Sequence, residues 1–383
     1  MEYRFSDKIA SLKPSAIREV LKATSVPGMI PFAAGNPAPD AFPVAEVQEI
    51  AADILKNRPI DALQYGVTEG YPELISLIKT RIKSKYGIGR DFDSIIITSG
   101  AQQVMDLSTK VLCNEGDVVI CESPSFIGSL NCFRSYNAKL VGVPVDADGM
   151  NIEALEKALD ENPNAKMIYT IPNFQNPAGV TMSLEKRHRL YELAKAHNVM
   201  ILEDNPYGEL RFKGEKLPYI GAGRLPHSVL LGTFSKTVTP GMRLGFIITQ
   251  DKELMNHLVT AKQSSDLHTN IFSQYMIADY LAHNEYQKHV DKIIALYKGQ
   301  AEAMLAAMKE YFAHVKYTEP EGGMFIWVTL PEGQSALDLF HKAMEKKVAF
   351  VPGDPFYAGK TNVNTFRLNY TNSTPETIRE GIK

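Results

Sequence analysis

Between Ser94 and Thr249 the chain alternates short, continuously apolar segments with amphipathic ones, and this alternation restricts the fold more than any other feature. Ser94–Thr98 (SIIIT), Asp117–Cys121 (DVVIC), Lys166–Thr170 (KMIYT), Val199–Glu203 (VMILE), Val229–Phe234 (VLLGTF) and Leu244–Thr249 (LGFIIT) are of strand length and strand composition. Ala101–Cys113, Phe126–Tyr136 and Ser183–Asn198 read as helices between them; in the last, Leu184, Leu190, Tyr191, Leu193 and Ala194 fall on one face. A strand covered on both faces shows no polar alternation, so such runs separated by helices specify a mostly parallel sheet sandwiched by helices. After Leu267 the rhythm changes. Helical patterns run from Ile271 to Phe312, then come Met324–Leu330, a helix near Ala336–Lys346, and short strands at Val348–Val351 and Thr365–Tyr370. The expected organisation is a large α/β domain over 44–270, a smaller α+β domain over 271–383, and an N-terminal segment, 1–43, packing with the small domain.

Several function classes fall away. The 383 residues carry a net charge of −3 with no long run of one sign, which gives no electrostatic footprint for nucleic acid or an anionic membrane. Three cysteines without a C-x-x-C pair and nine scattered histidines without H-E-x-x-H suggest neither a disulfide frame nor a metal site. No apolar run approaches the ~18 residues of a membrane span, and the first twenty residues are charged without a signal-like apolar stretch. A cytoplasmic protein is expected. Gly353 to Thr361 imitates a P-loop, but five residues separate its glycines where the motif has four, and Pro355 removes an amide donor. Gly87-Ile88-Gly89 lacks a third glycine, and no G-x-S-x-G elbow occurs.

Four segments fall just beyond strand ends, where an open α/β sheet binds its ligand. Ser99-Gly100-Ala101-Gln102 leads from a strand into a helix whose first amides suit a phosphate. Asn173 to Gly179 (NFQNPAG) offers amide side chains beside Pro and Gly, and Glu203-Asp204-Asn205-Pro206-Tyr207 ends a very apolar strand with a carboxylate that needs a cationic partner. Thr233-Phe234-Ser235-Lys236 places a desolvated lysine with two hydroxyls, and Arg243 follows seven residues on. Each alone has a plain reading: a strand-to-helix turn, an Asx turn, a structural ion pair, a solvated lysine. Together they describe a phosphate cradle, a carboxylate for a ring nitrogen, hydrogen bonds for a ring hydroxyl, and a Schiff-base lysine, which points to pyridoxal 5′-phosphate (PLP).

With these motifs in order, the sequence resembles the class I/II aminotransferases of PLP fold type I, most of all the kynurenine/2-aminoadipate branch with its broad aromatic and branched-chain relatives. The likeness rests on Gln64-Tyr65-Gly66, Ser99-Gly100-Ala101-Gln102-Gln103, Asn176-Pro177-Ala178-Gly179, Glu203-Asp204-Asn205-Pro206-Tyr207, Phe234-Ser235-Lys236, Pro240-Gly241-Met242-Arg243-Leu244-Gly245 and Phe366-Arg367-Leu368. It implies that Lys236 bonds the cofactor and shuttles a proton. Asp204 would keep the ring nitrogen protonated, while Asn176 and Tyr207 reach the ring hydroxyl. Ser99, Gly100, Ala101, Gln102, Thr233, Ser235 and Arg243 would form the phosphate site, and Tyr65 would reach that phosphate from the other subunit of a homodimer. Phe126 stands where the family often has a stacking Tyr, and Ala101 where many relatives have Ser; each departure removes a side-chain contact. Arg367 would clamp the substrate α-carboxylate, with Gly35 and Asn36 in a loop that closes over it.

The resemblance also puts Arg18 where some relatives bind a distal carboxylate, with a solvated helix position as the other reading. The function so implied is ping-pong transfer of an α-amino group from an amino acid (aromatic, branched-chain, 2-aminoadipate or similar) to a 2-oxo acid such as 2-oxoglutarate. A PLP-dependent β-lyase or decarboxylase on the same fold is the closer alternative. A PLP-sensing transcription regulator is the more distant one, because the resemblance begins within the first twenty residues.

Overall fold

A computed structural model describes residues 3–10, 12, 27–87, 94–222, 225–359 and 361–383. A two-residue strand, β1 (Ile30–Pro31), precedes the eight strands of the main sheet. These are β2 (Ser94–Thr98), β3 (Val118–Ser123), β4 (Lys139–Asp146), β5 (Gly149–Met150), β6 (Ala165–Thr170), β7 (Met200–Asp204), β8 (Ser228–Thr233) and β9 (Gly245–Thr249). Their order across the sheet is β2-β9-β8-β7-β6-β3-β4-β5. The run β8-β7-β6-β3-β4 is parallel; β9 is antiparallel to both its neighbours, and β5 turns back on β4. β2, β3, β6, β7 and β8 are buried along nearly their whole length, which is why their sequences carry no polar alternation. Several helices start where side chains cap them: Asn151 before Ile152–Glu161, Ser183 before Leu184–Ala196 and Asp251 before Lys252–Gln263 each accept from a backbone amide of the first turn.

A second, antiparallel sheet has the order β10-β11-β14-β13, from β10 (Lys316–Tyr317), β11 (Phe325–Thr329), β13 (Val351–Pro352) and β14 (Thr365–Asn369). Between β11 and β13 lies β12 (Val348–Ala349), which pairs in parallel with β1 instead. The amide of Asn369 also donates to the Phe32 carbonyl at 2.8 Å, so the segment around residues 30–36 is tied to the C-terminal sheet. The long helical pattern after Ile271 breaks at Asn284–Glu285 into Ile271–His283 and Tyr286–Tyr311. The first of these packs against helices Val44–Asn57, Pro59–Leu63 and Pro72–Tyr86. The Gly353 segment forms a short 3-10 turn at Asp354–Phe356 after β13. The three cysteines are free, and among the described residues no helix is long and apolar enough to cross a membrane.

The parallel run sets Ser123, Thr170, Asp204 and Thr233 at one edge of the sheet, as last residues of β3, β6, β7 and β8. Antiparallel β9 begins at that edge, with Gly245 opposite both Thr98 and Thr233. Gly245 has to be glycine because a Cβ there would lie 2.9 Å from the Gly100 carbonyl carbon, 3.0 Å from the Ala101 nitrogen and 3.0 Å from the Gly232 oxygen. All three are backbone atoms that cannot swing away. Gly245→Ala should therefore lower unfolding stability by ~1–3 kcal/mol in chemical denaturation; an unchanged midpoint would show that this edge is more plastic than its packing indicates.

Candidate active site

Asp204 and Thr233 of this edge line a cavity of about 270 Å³, together with Tyr207, Asn176, Lys236, Arg243 and Arg367 among others. Asp204 ends β7 only 3% exposed, held beside the neighbouring strand β6. Its Oδ2 accepts the hydroxyl of Tyr169 at 2.7 Å, whereas Oδ1 is buried without a partner. Burial pushes its pKa up to about 7, opposed by the Tyr169 hydrogen bond and by the charge of Lys236. Lys236 follows β8, and its ammonium donates to the Gly35 carbonyl at 2.8 Å. Burial, then the like charges of Arg367 and Arg243, bring its pKa down to about 8, against the opposing pull of Asp204.

Arg367, in β14, is 3% exposed and enters from the second sheet. Its Nη1 donates to Asn176 Oδ1 and its Nη2 to the Ala33 carbonyl, both at 2.8 Å, while Nε has no partner. The guanidinium lies over the rings of Phe325 (4.2 Å) and Phe356 (5.1 Å), apolar partners that tolerate a buried cation. Burial lowers its pKa to about 10. Asn176 in turn donates to the Tyr207 hydroxyl at 3.3 Å, and Tyr207 meets Phe325 edge-on. The loop bearing Asn176 is anchored from below. Gln175 donates to Glu122 (3.0 Å) and to the Pro124 carbonyl (2.8 Å) and accepts from the Ala178 amide (2.7 Å). The buried guanidinium of Arg187 holds the flanks through the carbonyls of Pro172 and Met182 and through Asn173.

On the other side of the cavity, Ala101 and Gln102 open helix Ala101–Leu112, whose N-cap Gly100 offers no side chain to its free amides. Gly100 has φ +76°, and a Cβ there would lie 2.6 Å from Arg243 Nη2, so the arginine rests directly against the turn. Thr233 donates to Ser235 and to the Leu244 carbonyl, both at 3.0 Å. A helix N-terminus, a guanidinium and a hydroxyl pair together attract an anionic group. Phe126, immediately before helix Ile127–Ser135, forms part of the wall.

This donor set fits PLP. The bare Oδ1 of Asp204 suits a protonated ring nitrogen, the Ala101–Arg243 side suits a phosphate, and Lys236 lines the same cavity within reach of the charges of Asp204 and Arg367. Of the residues singled out in the sequence, Gly35, Ala101, Gln102, Phe126, Asn176, Asp204, Tyr207, Thr233, Ser235, Lys236, Arg243 and Arg367 line one cavity. Four others stand differently. Ser99 turns its hydroxyl away to Asp266 (2.7 Å) and Gly100 contributes only the turn. Tyr65 is 79% exposed, against His268, and is not at the cavity of its own chain. Arg18 lies outside the described residues. Sequence reasoning missed Tyr169, Glu122, Met105, Ile171 and Phe325. The first two sit in apolar strands with no motif around them, and the other three read as ordinary core.

A family model described as aminotransferase class I and II matches residues 27–383. Aromatic-amino-acid aminotransferase 1 of Thermococcus litoralis is 44% identical, covering 100% of this chain and 93% of that protein. A kynurenine aminotransferase of Pyrococcus horikoshii, solved in complex with PMP, superposes with a TM-score of 0.95 at 40% identity, over 99% of this chain and 95% of that one. The α-aminoadipate aminotransferase of Thermus thermophilus, complexed with N-(5′-phosphopyridoxyl)-L-leucine, gives a TM-score of 0.90 at 37% identity over 99% and 95%. With a cavity whose unfilled valences match PLP and a likeness running along nearly its whole length, the chain belongs to the class I and II aminotransferases, enzymes of PLP fold type I.

Proposed function

We propose that the enzyme moves the α-amino group of an amino acid (aromatic, branched-chain, 2-aminoadipate or similar) to a 2-oxo acid, with 2-oxoglutarate the expected acceptor, in two ping-pong half-reactions. The observation that carries this reading is the meeting of Lys236, the bare oxygen of Asp204 and the bare Nε of Arg367 in one cavity. PLP, when bound, supplies the electron sink that lets a bond to the substrate α-carbon break. The chain does the rest. Lys236 Nζ, partly uncharged at neutral pH, would hold the cofactor covalently, and as a free amine it would take and return the α-proton. Asp204 Oδ1 accepts the ring N–H, and Asn176 with Tyr207 holds the ring hydroxyl. Phe126 supports the ring face, and the Ala101–Gln102 amides, Thr233, Ser235 and Arg243 hold the phosphate. The Nε edge of Arg367 receives the α-carboxylate, fixing the α-hydrogen toward Lys236.

Met105, Phe126, Ile171 and Phe325 give the cavity apolar walls, which favours large apolar side chains. Similar proteins named for aromatic amino acids and for kynurenine support that preference, and one named for α-aminoadipate extends the range to an acidic side chain. We also infer a cytoplasmic homodimer divided as 1–43, 44–270 and 271–383. Exposed Ile60 (73%), Leu63 (69%) and Val67 (57%) surround Tyr65 on a surface that a second copy would cover while Tyr65 reaches its phosphate site.

Assays with a panel of amino acids and 2-oxoglutarate test this reading. Parallel lines in double-reciprocal plots are expected, and intersecting lines would contradict the ping-pong scheme. Lys236→Ala should lower turnover by ~10²–10⁴-fold or more while the folded protein persists; normal turnover by that variant would refute the role of Lys236. Arg367→Lys, which gives up the planar fork, should raise KM for both substrates, lowering kcat/KM by about 10–100-fold. An unchanged KM would place the carboxylate elsewhere. Covalent capture of PLP needs the uncharged amine. Because the Lys236 pKa is lowered to about 8, the capture rate followed by absorbance should rise with pH and level off above about 8. A rate still climbing toward the ordinary lysine range would contradict the desolvated setting.

A further inference from the structure

Asp204 has a single protein hydrogen-bond donor among the described residues, and it comes from a tyrosine that no motif marks. Tyr169 is fully buried on β6, and its residue pairs with Leu202 of β7, two positions before Asp204. Phe133 packs edge-on to its ring at 5.4 Å and limits the ring's rotation. A carboxylate offers about four acceptor sites, and here the protein fills one.

We propose that Tyr169 is a positioning residue for the cofactor's ring nitrogen: its hydroxyl, donated to Asp204 Oδ2 at 2.7 Å, fixes the carboxylate so that Oδ1 faces the cavity as an ionised acceptor. The inference rests on the reading of Asp204 as the ring-nitrogen carboxylate. Without the phenol, both oxygens of a fully buried carboxylate would be bare, and burial would drive a proton onto it. A protonated Asp204 no longer favours a protonated ring nitrogen. The exchange does not run the other way, because burial and the adjacent Asp204 hold the Tyr169 phenol well above its usual range, so its proton stays on oxygen. Glu122, at the far side of β6, is occupied by Thr170, the Ile171 amide and Gln175 and does not compete for the phenol.

The test uses PLP labelled with ¹⁵N at the ring nitrogen, bound to the full-length enzyme and to Tyr169→Phe, Asp204→Asn and the double variant. The ¹⁵N chemical shift and the PLP dissociation constant are read in each. The expected result is a protonated-ring shift in the wild type and a move toward the unprotonated shift in Tyr169→Phe, with PLP affinity weakened ~10–100-fold. In the Asp204→Asn background, removing the hydroxyl should add little, since the two residues act as one unit. A wild-type shift and affinity in Tyr169→Phe, with Asp204→Asn altered, would overturn the inference alone. Wild-type values in Asp204→Asn would overturn the reading of Asp204 and this inference with it. If Tyr169→Phe fails to fold, folding of the double variant supports the proposal, because the buried carboxyl group left without its donor is then the cause. Failure of both would assign the hydroxyl a structural role and overturn it.

Discussion

Asp204, Lys236 and Arg367 are withdrawn from water in the same cavity, and much of the surrounding structure answers the cost of doing so. Among the described residues none of the three forms a direct ion pair with another; each is held by a neutral group. Tyr169 serves Asp204, the Gly35 carbonyl serves Lys236, and Asn176, the Ala33 carbonyl and two aromatic faces serve Arg367. Burial shifts each ionisable group toward its neutral form, Asp204 up and the two cations down. An ion is expensive to bury unless paired, so the site is left with unfilled valences at Asp204 Oδ1 and Arg367 Nε. Those are the positions that a ring nitrogen and a substrate carboxylate would occupy.

The fold delivers these groups from three directions. Parallel strands bring Asp204 and the start of the Lys236 loop to one edge, and antiparallel β9 packs Gly245 against the turn that opens helix Ala101–Leu112. The second sheet supplies Arg367 from β14 and Phe325 from β11, two strands that pair directly. The extended segment around residues 33–35, fastened by the pairing of β1 with β12, contributes the two carbonyls that hold Arg367 and Lys236. On the proposed reading, cofactor chemistry would sit on the first sheet, while carboxylate recognition would depend on Arg367 of the second sheet and its contact with the Ala33 carbonyl.

The buried strands were legible because continuous apolar runs have few other uses, and their bounds fall within a residue or two of the structure. β4 was not. Lys139–Asp146 is only half covered and contains Gly142 and Pro144, so its pattern looks like a loop. In the site, residues that follow strand ends could be read because chain order places them at the sheet edge. Tyr169 could not, since its importance arises from the strand lying beside it. Ser99 shows the converse: it belongs to a phosphate-type turn by position, yet Asp266, itself held by buried Lys262, captures its hydroxyl. That competition involves residues more than 160 positions apart, beyond the reach of a local motif.

The central claim is that these residues turn bound PLP into an amino-group carrier, and a half-reaction tests it most directly. The purified holoenzyme would be mixed with one amino acid at a time, without any 2-oxo acid, while its visible absorption is followed. Bleaching of the yellow band to the pyridoxamine form, with stoichiometric release of a 2-oxo acid and return of the band on adding 2-oxoglutarate, is the predicted result. A band that persists with every amino acid tried, or one that bleaches without releasing a 2-oxo acid, would contradict the account.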